Sequence, residues 1–143
     1  YSSILYDENI DLLILEKNKK YGMCDIQGNI VINIENDEIE SRGIYIYAKK
    51  DSSNEVYDDK GNKVDINFYR SIYKTENDNY RITTLFNNNI TYYGIIDKDG
   101  NELVREDYRY IEYLYEDYFI VLGQTAFLGV INSKRRRNIR FRV

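Results

Sequence analysis

Two copies of one short pattern constrain the fold of this chain more than any other feature. Residues 20–32 read KYGMCDIQGNIVI, and residues 92–104 read YYGIIDKDGNELV. Both contain Tyr-Gly, then Asp, then Gly-Asn, then an apolar ending. Self-similarity at a fixed spacing is typical of repeat architectures. We therefore expect an array of similar units rather than one irregular domain.

Alignment on the Asp and the Gly-Asn finds two weaker copies. EVYDDKGNKV keeps Asp58 and Gly61 without a Tyr-Gly, and FLGVINSK keeps Gly129 with Asn132 in place of the Asp. From Asp25 onward, the equivalent positions are 33, 39 and 35 residues apart. This steady period predicts a single repeat array over residues 1–143, with about three and a half repeats and signatures near residues 20–32, 54–65, 92–104 and 127–139.

Each signature has the local pattern of a β-hairpin. Glycine supplies the positive φ of a tight loop, and the Asp carboxylate can accept from backbone N–H groups further along the turn. DKDGNE also resembles a calcium loop, but it lacks the ligand spacing and the closing Glu of an EF-hand, so we predict no metal site. Turn or packing roles are predicted for Tyr21, Gly22, Asp25, Gly28, Asp58, Gly61, Tyr93, Gly94, Asp97, Gly100 and Gly129.

The segments between the signatures favour strands. IYIYAKK (44–50) and YRITTLF (80–86) alternate along the chain, as a strand with two different faces requires. DYRYIEYLYED (107–117) also favours a strand, with a short helix or 3₁₀ turn as the alternative. The predicted fold class is all-β, with tandem antiparallel hairpin repeats in an open curved array. Partial propeller-like or barrel-like closure is the alternative.

Composition argues against catalysis. The chain has no His, which removes the commonest general base and metal ligand, and its single Cys excludes an internal disulfide framework. Cys24 is interpreted as a small strand residue, and Glu112, Glu116 and Asp117 as parts of a solvated turn. We expect neither an enzyme nor a cofactor.

Charge is distributed unevenly along the chain. Residues 134–143 carry six positive and no negative charges, whereas the preceding 133 residues carry 14 basic and 24 acidic ones, a net charge of −10. An acidic body repels nucleic acid, so no nucleic-acid partner is expected. No apolar run is long enough for a membrane span. In the last copy Arg135 stands where the turn glycine is expected, and the tail has three interpretations: a solvated cap, an electrostatic site, or a frameshifted end.

These motifs resemble the WG repeat, a bacterial β-repeat family. Its pattern is Lys-Trp-Gly-x-Ile-Asp-x-x-Gly-x-x-Val-Ile-Pro, followed by Tyr-Asp-x-Ile. Lys20-Tyr21-Gly22 and Tyr92-Tyr93-Gly94 match its opening with Tyr in place of Trp, and Tyr108 to Ile111 matches its Tyr-x-x-Ile element. The family's Pro and Trp never appear, since the chain has neither residue. The resemblance implies a bacterial repeat protein and supplies no catalytic residues.

Tyrosine is the most promising binding residue of this chain. The sequence holds 16 Tyr, and exposed rings on a sheet can grip a peptide or stack on a sugar. A protein partner is expected for the acidic, tyrosine-rich surface of such a scaffold, and carbohydrate or cell-envelope binding is the alternative. The usage of Ile, Asn, Lys and Tyr indicates an AT-rich genome, and either the cytoplasm or the cell surface is expected. The predicted binding surface is Tyr45, Tyr47, Tyr110, Tyr113 and Tyr115.

Overall fold

The computed structural model describes residues 1–134 and the backbone of residues 137–142. All regular elements in these residues are β-strands, and neighbouring strands of each sheet are antiparallel and follow one another in sequence. The prediction of an all-β fold built from tandem antiparallel hairpins is therefore confirmed. The chain divides into two compact units, Tyr1–Phe68 (the N-terminal unit) and Tyr69–Val143 (the C-terminal unit).

The N-terminal unit contains two sheets that share one core. Sheet 1 joins β1 (Ser3–Asp7), β2 (Leu12–Lys17), β3 (Lys20–Cys24) and β4 (Ile30–Asn36). Sheet 2 joins β5 (Glu38–Arg42), β6 (Tyr45–Lys50) and β7 (Ser53–Tyr57). The core is formed by apolar side chains from both sheets, Leu12, Met23, Ile32 and Ile46. Burial of each such side chain contributes roughly 1.5–3 kcal/mol.

The C-terminal unit has the same plan with four strands in each sheet. Sheet 3 joins β8 (Arg70–Lys74), β9 (Tyr80–Asn87), β10 (Ile90–Asp97) and β11 (Glu102–Tyr108). Sheet 4 joins β12 (Tyr110–Tyr115), β13 (Tyr118–Leu122), β14 (Phe127–Asn132) and β15 (Arg137–Arg142). Its core is Tyr80, Ile95, Ile111, Phe119, Val121 and Ile131.

The two complete signatures occupy the same place in sheets 1 and 3. The Tyr-Gly segment lies in the third strand, the Asp-to-Asn segment forms the turn, and the fourth strand follows. Sheet 2 departs from this plan, because after its turn only an isolated bridge between Tyr57 and Lys63 continues the pairing. Since Asp25 and Asp97 are 72 residues apart, the two units are successive copies of a two-sheet block.

The Asp turn has one geometry in three copies. In the first, Asp25 Oδ1 accepts hydrogen bonds from the N–H groups of Gln27 (3.0 Å) and Asn29 (2.8 Å), and Oδ2 accepts one from Asn29 Nδ2 (3.0 Å). The same three bonds are made to Asp58 and to Asp97. The turn glycines have φ between +86° and +92°. Both carboxylate oxygens are therefore used to hold the turn.

The Tyr-Gly glycines lie where the next strand approaches most closely. A Cβ on Gly22 would be 2.5 Å from the carbonyl oxygen of Ile32, and one on Gly94 would be 2.7 Å from that of Val104. At both places the pairing between the third and fourth strands is irregular. Glycine here admits backbone into space that any side chain would occupy.

Two local predictions have clear outcomes. The segment 107–117 is mostly strand: the end of β11 and all of β12 lie in it, and residues 116 and 117 form a turn. The helical alternative is wrong. The two-faced pattern expected of residues 44–50 is wrong in part, because Ile46, Tyr47 and Ala48 are all buried. Both faces of β6 are covered, as happens to an inner strand packed on a second sheet.

The basic tail contributes a strand to sheet 4. Arg137–Arg142 pairs with β14 from Phe127 to Asn132. Arg135, the residue at the expected glycine position, lies outside the described residues. The three interpretations of the tail stay predictions.

Candidate functional site

The predicted tyrosine surface is not one continuous surface. Tyr47 is 1% exposed, so its assignment to a binding surface is wrong. Its ring packs edge-on against Phe68, with a centroid separation of 5.6 Å, and the Arg42 guanidinium carbon lies 3.5 Å from its centroid. Tyr45 is half-buried in the same strand. Tyr47 is therefore a core residue, and the guanidinium of Arg42 covers one face of its ring.

The tyrosines of β12 have three different environments. Tyr110 is exposed and lies 5.4 Å from Tyr93, centroid to centroid, and Tyr115 is exposed and lies 5.3 Å from Tyr118. Tyr113 packs on the core residue Phe119, and its hydroxyl donates to the carbonyl oxygen of Glu116. Burial raises the pKa of Tyr93, and its neighbours Tyr110 and Tyr73 raise it further. Of the predicted set, Tyr110 and Tyr115 are therefore exposed, and each lies beside a half-buried tyrosine outside that set, Tyr93 and Tyr118.

The C-terminal unit contains a groove. It consists of two adjoining hollows of about 230 Å³ and about 380 Å³ that share Leu103. The smaller one is lined by Leu103, Val104, Arg105, Asp107, Tyr108, Ile131 and Asn132. The larger one is lined by Asn79, Tyr80, Asp97, Lys98, Asp99, Leu103, Ser133 and Lys134. The groove thus has apolar walls and charges of both signs along its rim.

A hydrogen-bonded polar group forms one wall of the groove. The Tyr80 hydroxyl donates to Asp117 Oδ1, and the Ser133 N–H (2.9 Å) and Oγ (3.1 Å) both donate to the carbonyl oxygen of Asp117. The Lys134 ammonium lies 3.7 Å from Asp117 Oδ2. Burial raises the pKa of the Tyr80 phenol, and so does the bond to Asp117. Tyr80 and Ser133 are only 4% and 3% exposed, so their polar groups are satisfied by these bonds and not by solvent.

The N-terminal unit has no such polar group at the matching positions. Thr83 pairs with Gly94 as Leu15 pairs with Gly22, so Tyr80 corresponds to Leu12. In sheets 4 and 2 the signature positions Asn132 and Asp58 are equivalent. Counting from them along the paired strands, Asp117 corresponds to Ile44 and Ser133 to the exposed Asp59. The fold therefore forms with apolar side chains at two of these positions. The polar group is a property of one unit and not a requirement of the architecture.

The groove offers binding groups but no assembled catalytic pair. The Ser133 hydroxyl donates to a carbonyl oxygen instead of to a base. Cys24 is buried, and burial, followed by the charge of Asp25, raises the pKa of its thiol, which favours the unreactive protonated form. Within residues 1–134, no group of three or more Cys, Asp or Glu side chains is placed to hold a metal ion.

Asp117 was interpreted from the sequence as part of a solvated turn, and this interpretation is wrong in part: the residue does lie in the turn between β12 and β13, but it is not fully solvated. The residue is half-buried and holds two neighbouring segments together. Glu112 and Glu116 are exposed, as expected. A comparison of the copies outside the signature would have found the site, since Tyr80 begins β9 where Leu12 begins β2.

Comparison with known proteins leaves the family open. No protein-family profile and no curated protein sequence matches the chain. Among solved structures, the chain resembles the WD40 β-propeller domain of Doa1, with 10% identity and a TM-score of 0.39. The match covers 98% of this chain and 53% of that one, so this chain spans about half of its length. The described residues include no helix with the length and apolar character that crossing a bilayer requires.

Proposed function

We propose that this chain is a non-enzymatic protein-interaction module, and that a partner segment binds in the groove of the C-terminal unit. The observation that carries the proposal is the Tyr80–Asp117–Ser133 group. These side chains are polar where the other unit has Leu12 and Ile44. A buried polar group costs stability unless it is satisfied, so its presence in one copy alone indicates a role beyond folding.

The shape of the groove favours an extended peptide. Two hollows that share Leu103 can each receive a side chain of an extended segment. The apolar residues of the smaller hollow, Val104, Tyr108 and Ile131, would contact one such side chain, and the charged residues of the lining would set the direction of the peptide.

A displayed library of random peptides, selected on the purified chain, tests this proposal. We expect enriched peptides whose affinity falls at least about tenfold in Asp99→Lys, because this change reverses a charge on the rim. Gln27→Lys is the matched control, since it alters the same position of the Asp turn in the N-terminal unit. That position holds Lys60 in sheet 2, so the turn accepts Lys. Peptides that bind both variants as well as the wild type would refute the groove as the site.

Carbohydrate binding is the competing function, and the exposed rings of Tyr110 and Tyr115, each beside a half-buried tyrosine, favour it specifically. Aromatic rings at such surfaces can stack on sugar faces. A glycan array probed with the wild type, Tyr110→Ala and Tyr115→Ala separates the two functions. Glycan binding that either variant abolishes while the fold stays intact would favour carbohydrate, and the absence of glycan binding would remove it.

We also propose that the repeat is a divergent form of the WG repeat with Tyr in place of Trp. The support is the shared position of Tyr21 and Tyr93, each one residue before a glycine that admits the next strand. If Tyr93 occupies the place of the family's Trp, Tyr93→Trp should keep the urea midpoint of the wild type or raise it. Tyr92→Trp is the control at the neighbouring position, which faces the other side of the strand. A large loss of stability in Tyr93→Trp alone would argue against the relationship.

A further inference from the structure

Strand β1 of the N-terminal unit has a free edge. In the sheet order β1–β2–β3–β4 it pairs, within the part of the chain that the structure describes, only with β2, over five consecutive residue pairs from Ser3–Glu16 to Asp7–Leu12. The pairing contains no bulge. A regular edge strand presents unpaired N–H and C=O groups, which is the template another extended chain needs.

This edge lacks the devices that usually protect one. Ile4, Leu5 and Tyr6 are consecutive and are 58%, 64% and 52% exposed. The strand contains no Lys and no Pro, and its only charge is at its last residue. Other strands at sheet edges carry charges or irregular pairing: Arg70 and Lys74 in β8, Glu38, Glu40 and Arg42 in β5, and register shifts in β4 and β11. The edge strand β12 also exposes Tyr110, Leu114 and Tyr115, but it carries Glu112 and its pairing with β13 is irregular after Tyr113. Strand β1 combines exposed apolar residues with regular pairing along its whole length.

The Asp7 end of β1 is acidic. Asp7, Glu8 and Asp11 lie there, whereas Lys17 lies at the opposite end of the strand, next to Glu16, the partner of Ser3. The Tyr6 hydroxyl donates to Asp11 (2.7 Å), and the pKa of this phenol is raised by that bond first and also by the charges of Glu8 and Asp7. A negative field of this kind attracts a cation and repels a second copy of the same acidic edge.

We infer that β1 is a strand-addition site for an extended, lysine- or arginine-bearing segment of a protein partner. The segment extends sheet 1 by one strand and hydrogen-bonds to the free backbone groups of β1. Its apolar side chains cover Ile4 and Tyr6 on one face or Leu5 on the other, because side chains alternate along a strand. Its cations lie beside Asp7, Glu8 and Asp11. This site is in the N-terminal unit and does not depend on the groove.

The test uses a fluorescein-labelled seven-residue peptide of alternating valine and lysine, and fluorescence anisotropy against the whole chain. We expect saturable binding that weakens as salt is added, because exposed charges are screened. Two further peptides separate the contributions: one is N-methylated at every residue, so that neither of its edges can donate to the ladder, and one has glutamate in place of lysine. Both should bind at least about tenfold more weakly.

Leu5→Lys is the decisive variant, since a lysine on an edge strand opposes both strand addition and a cationic partner. The exposed position tolerates the change, and an unchanged urea midpoint would show that the fold is intact. Phe86→Lys is the matched control, a 47% exposed aromatic near the end of β9. We expect Leu5→Lys to lose at least about tenfold in affinity and Phe86→Lys to lose little.

Three results would overturn the inference. The N-methylated peptide could bind as well as the parent, the glutamate peptide could bind as well as the lysine peptide, or Leu5→Lys could retain full affinity. A wild-type dimer in sedimentation that Leu5→Lys abolishes would instead identify a second copy as the occupant. Asp99→Lys should leave this binding unchanged, so a failure of the groove proposal is distinguishable from a failure here.

Discussion

At the scale of single residues, the glycines of this chain differ in what they contribute. Gly94 lies where a Cβ would meet backbone, Gly100 has φ +91° with open space around it, and Gly123 has neither constraint, with its nearest neighbour at 3.8 Å. Crowding against a carbonyl costs more than an unfavourable φ, because backbone cannot rotate away as a side chain can. A single substitution at each glycine therefore shows whether close packing or a positive φ requires glycine there.

We predict that Gly94→Ala lowers the free energy of unfolding by roughly 2–3 kcal/mol, through overpacking against Val104. Gly100→Ala should cost about 1 kcal/mol, the strain of a left-handed conformation. Gly123→Ala should stay within about 0.5 kcal/mol of the wild type. Urea denaturation of the three variants measures this order. Equal losses at Gly94 and Gly123 would contradict the close approach.

Thr83 has a buried hydroxyl that contributes no hydrogen bond within the described residues. It is 1% exposed, its Oγ1 has no partner there, and the matching residue in the N-terminal unit is Leu15. An unsatisfied hydroxyl costs roughly 1–3 kcal/mol. Thr83→Val should therefore raise the free energy of unfolding by about 1 kcal/mol. Thr84→Val, at the half-buried neighbour, is the control and should change it by less than about 0.5 kcal/mol.

At the scale of elements, the Asp turns were the most predictable part of the fold. Their sequence places an acceptor, a glycine and an Asn at fixed offsets, and each of these residues acts locally. The helix-or-strand ambiguity of residues 107–117 had a different origin. Apolar residues on that segment suit both periods, and only pairing with β13 makes it a strand. Local chemistry is visible in sequence, whereas pairing with a distant strand is not.

The same turns predict how stability depends on pH. Hydrogen bonds from the side chain and N–H of Asn101 lower the pKa of Asp97, and those from Asn29 lower that of Asp25. A pKa that is lower in the folded state stabilises the protein above the unfolded value, which is about 3.9, and this contribution is lost as pH falls through the folded value. Stability should therefore fall between about pH 4 and more acidic conditions.

Urea midpoints at pH 7 and pH 3 test this dependence. Asp97→Asn should show a smaller fall between the two pH values than the wild type, since one titrating acceptor is gone. Asp99→Asn alters a neighbouring charge and removes none of the turn's three carboxylate bonds. The decrease in its urea midpoint from pH 7 to pH 3 should match that of the wild type. A fall in Asp97→Asn as large as the wild type's would show that the carboxylate does not carry the effect.

At the scale of the whole molecule, the sequence predicted the repeat but not the function of its copies. Each of the two complete signatures supplies the third and fourth strands of its sheet and the turn between them, whereas the signature of sheet 2 supplies one strand, a turn and an isolated bridge. The candidate groove was missed, because it depends on Tyr80, Asp117 and Ser133, which are far apart in sequence and outside the signature. Tyr47 was misplaced for a related reason. Alternation predicts one exposed face, but Phe68 and the Arg42 guanidinium cover the ring of Tyr47 on the face opposite Ile46.

The division into two units leads to the last prediction. The cores of the two units share no residue: Met23 belongs to the first, and Phe119 to the second, and both are fully buried. Phe119→Ala should cost about 3–5 kcal/mol and Met23→Ala about 2–5 kcal/mol. Because each cavity removes contacts from one core only, the loss of protection should be greatest in the unit that contains it.

Hydrogen exchange followed by mass spectrometry resolves this pattern along the chain. In Phe119→Ala, peptides from residues 69–134 should exchange faster than in the wild type, while those from residues 1–68 change less. Met23→Ala should give the opposite pattern, so each variant controls for the other. If either substitution accelerated exchange equally in both units, the array would unfold as a single cooperative body. The two-sheet block would then be a structural repeat without being a unit of stability.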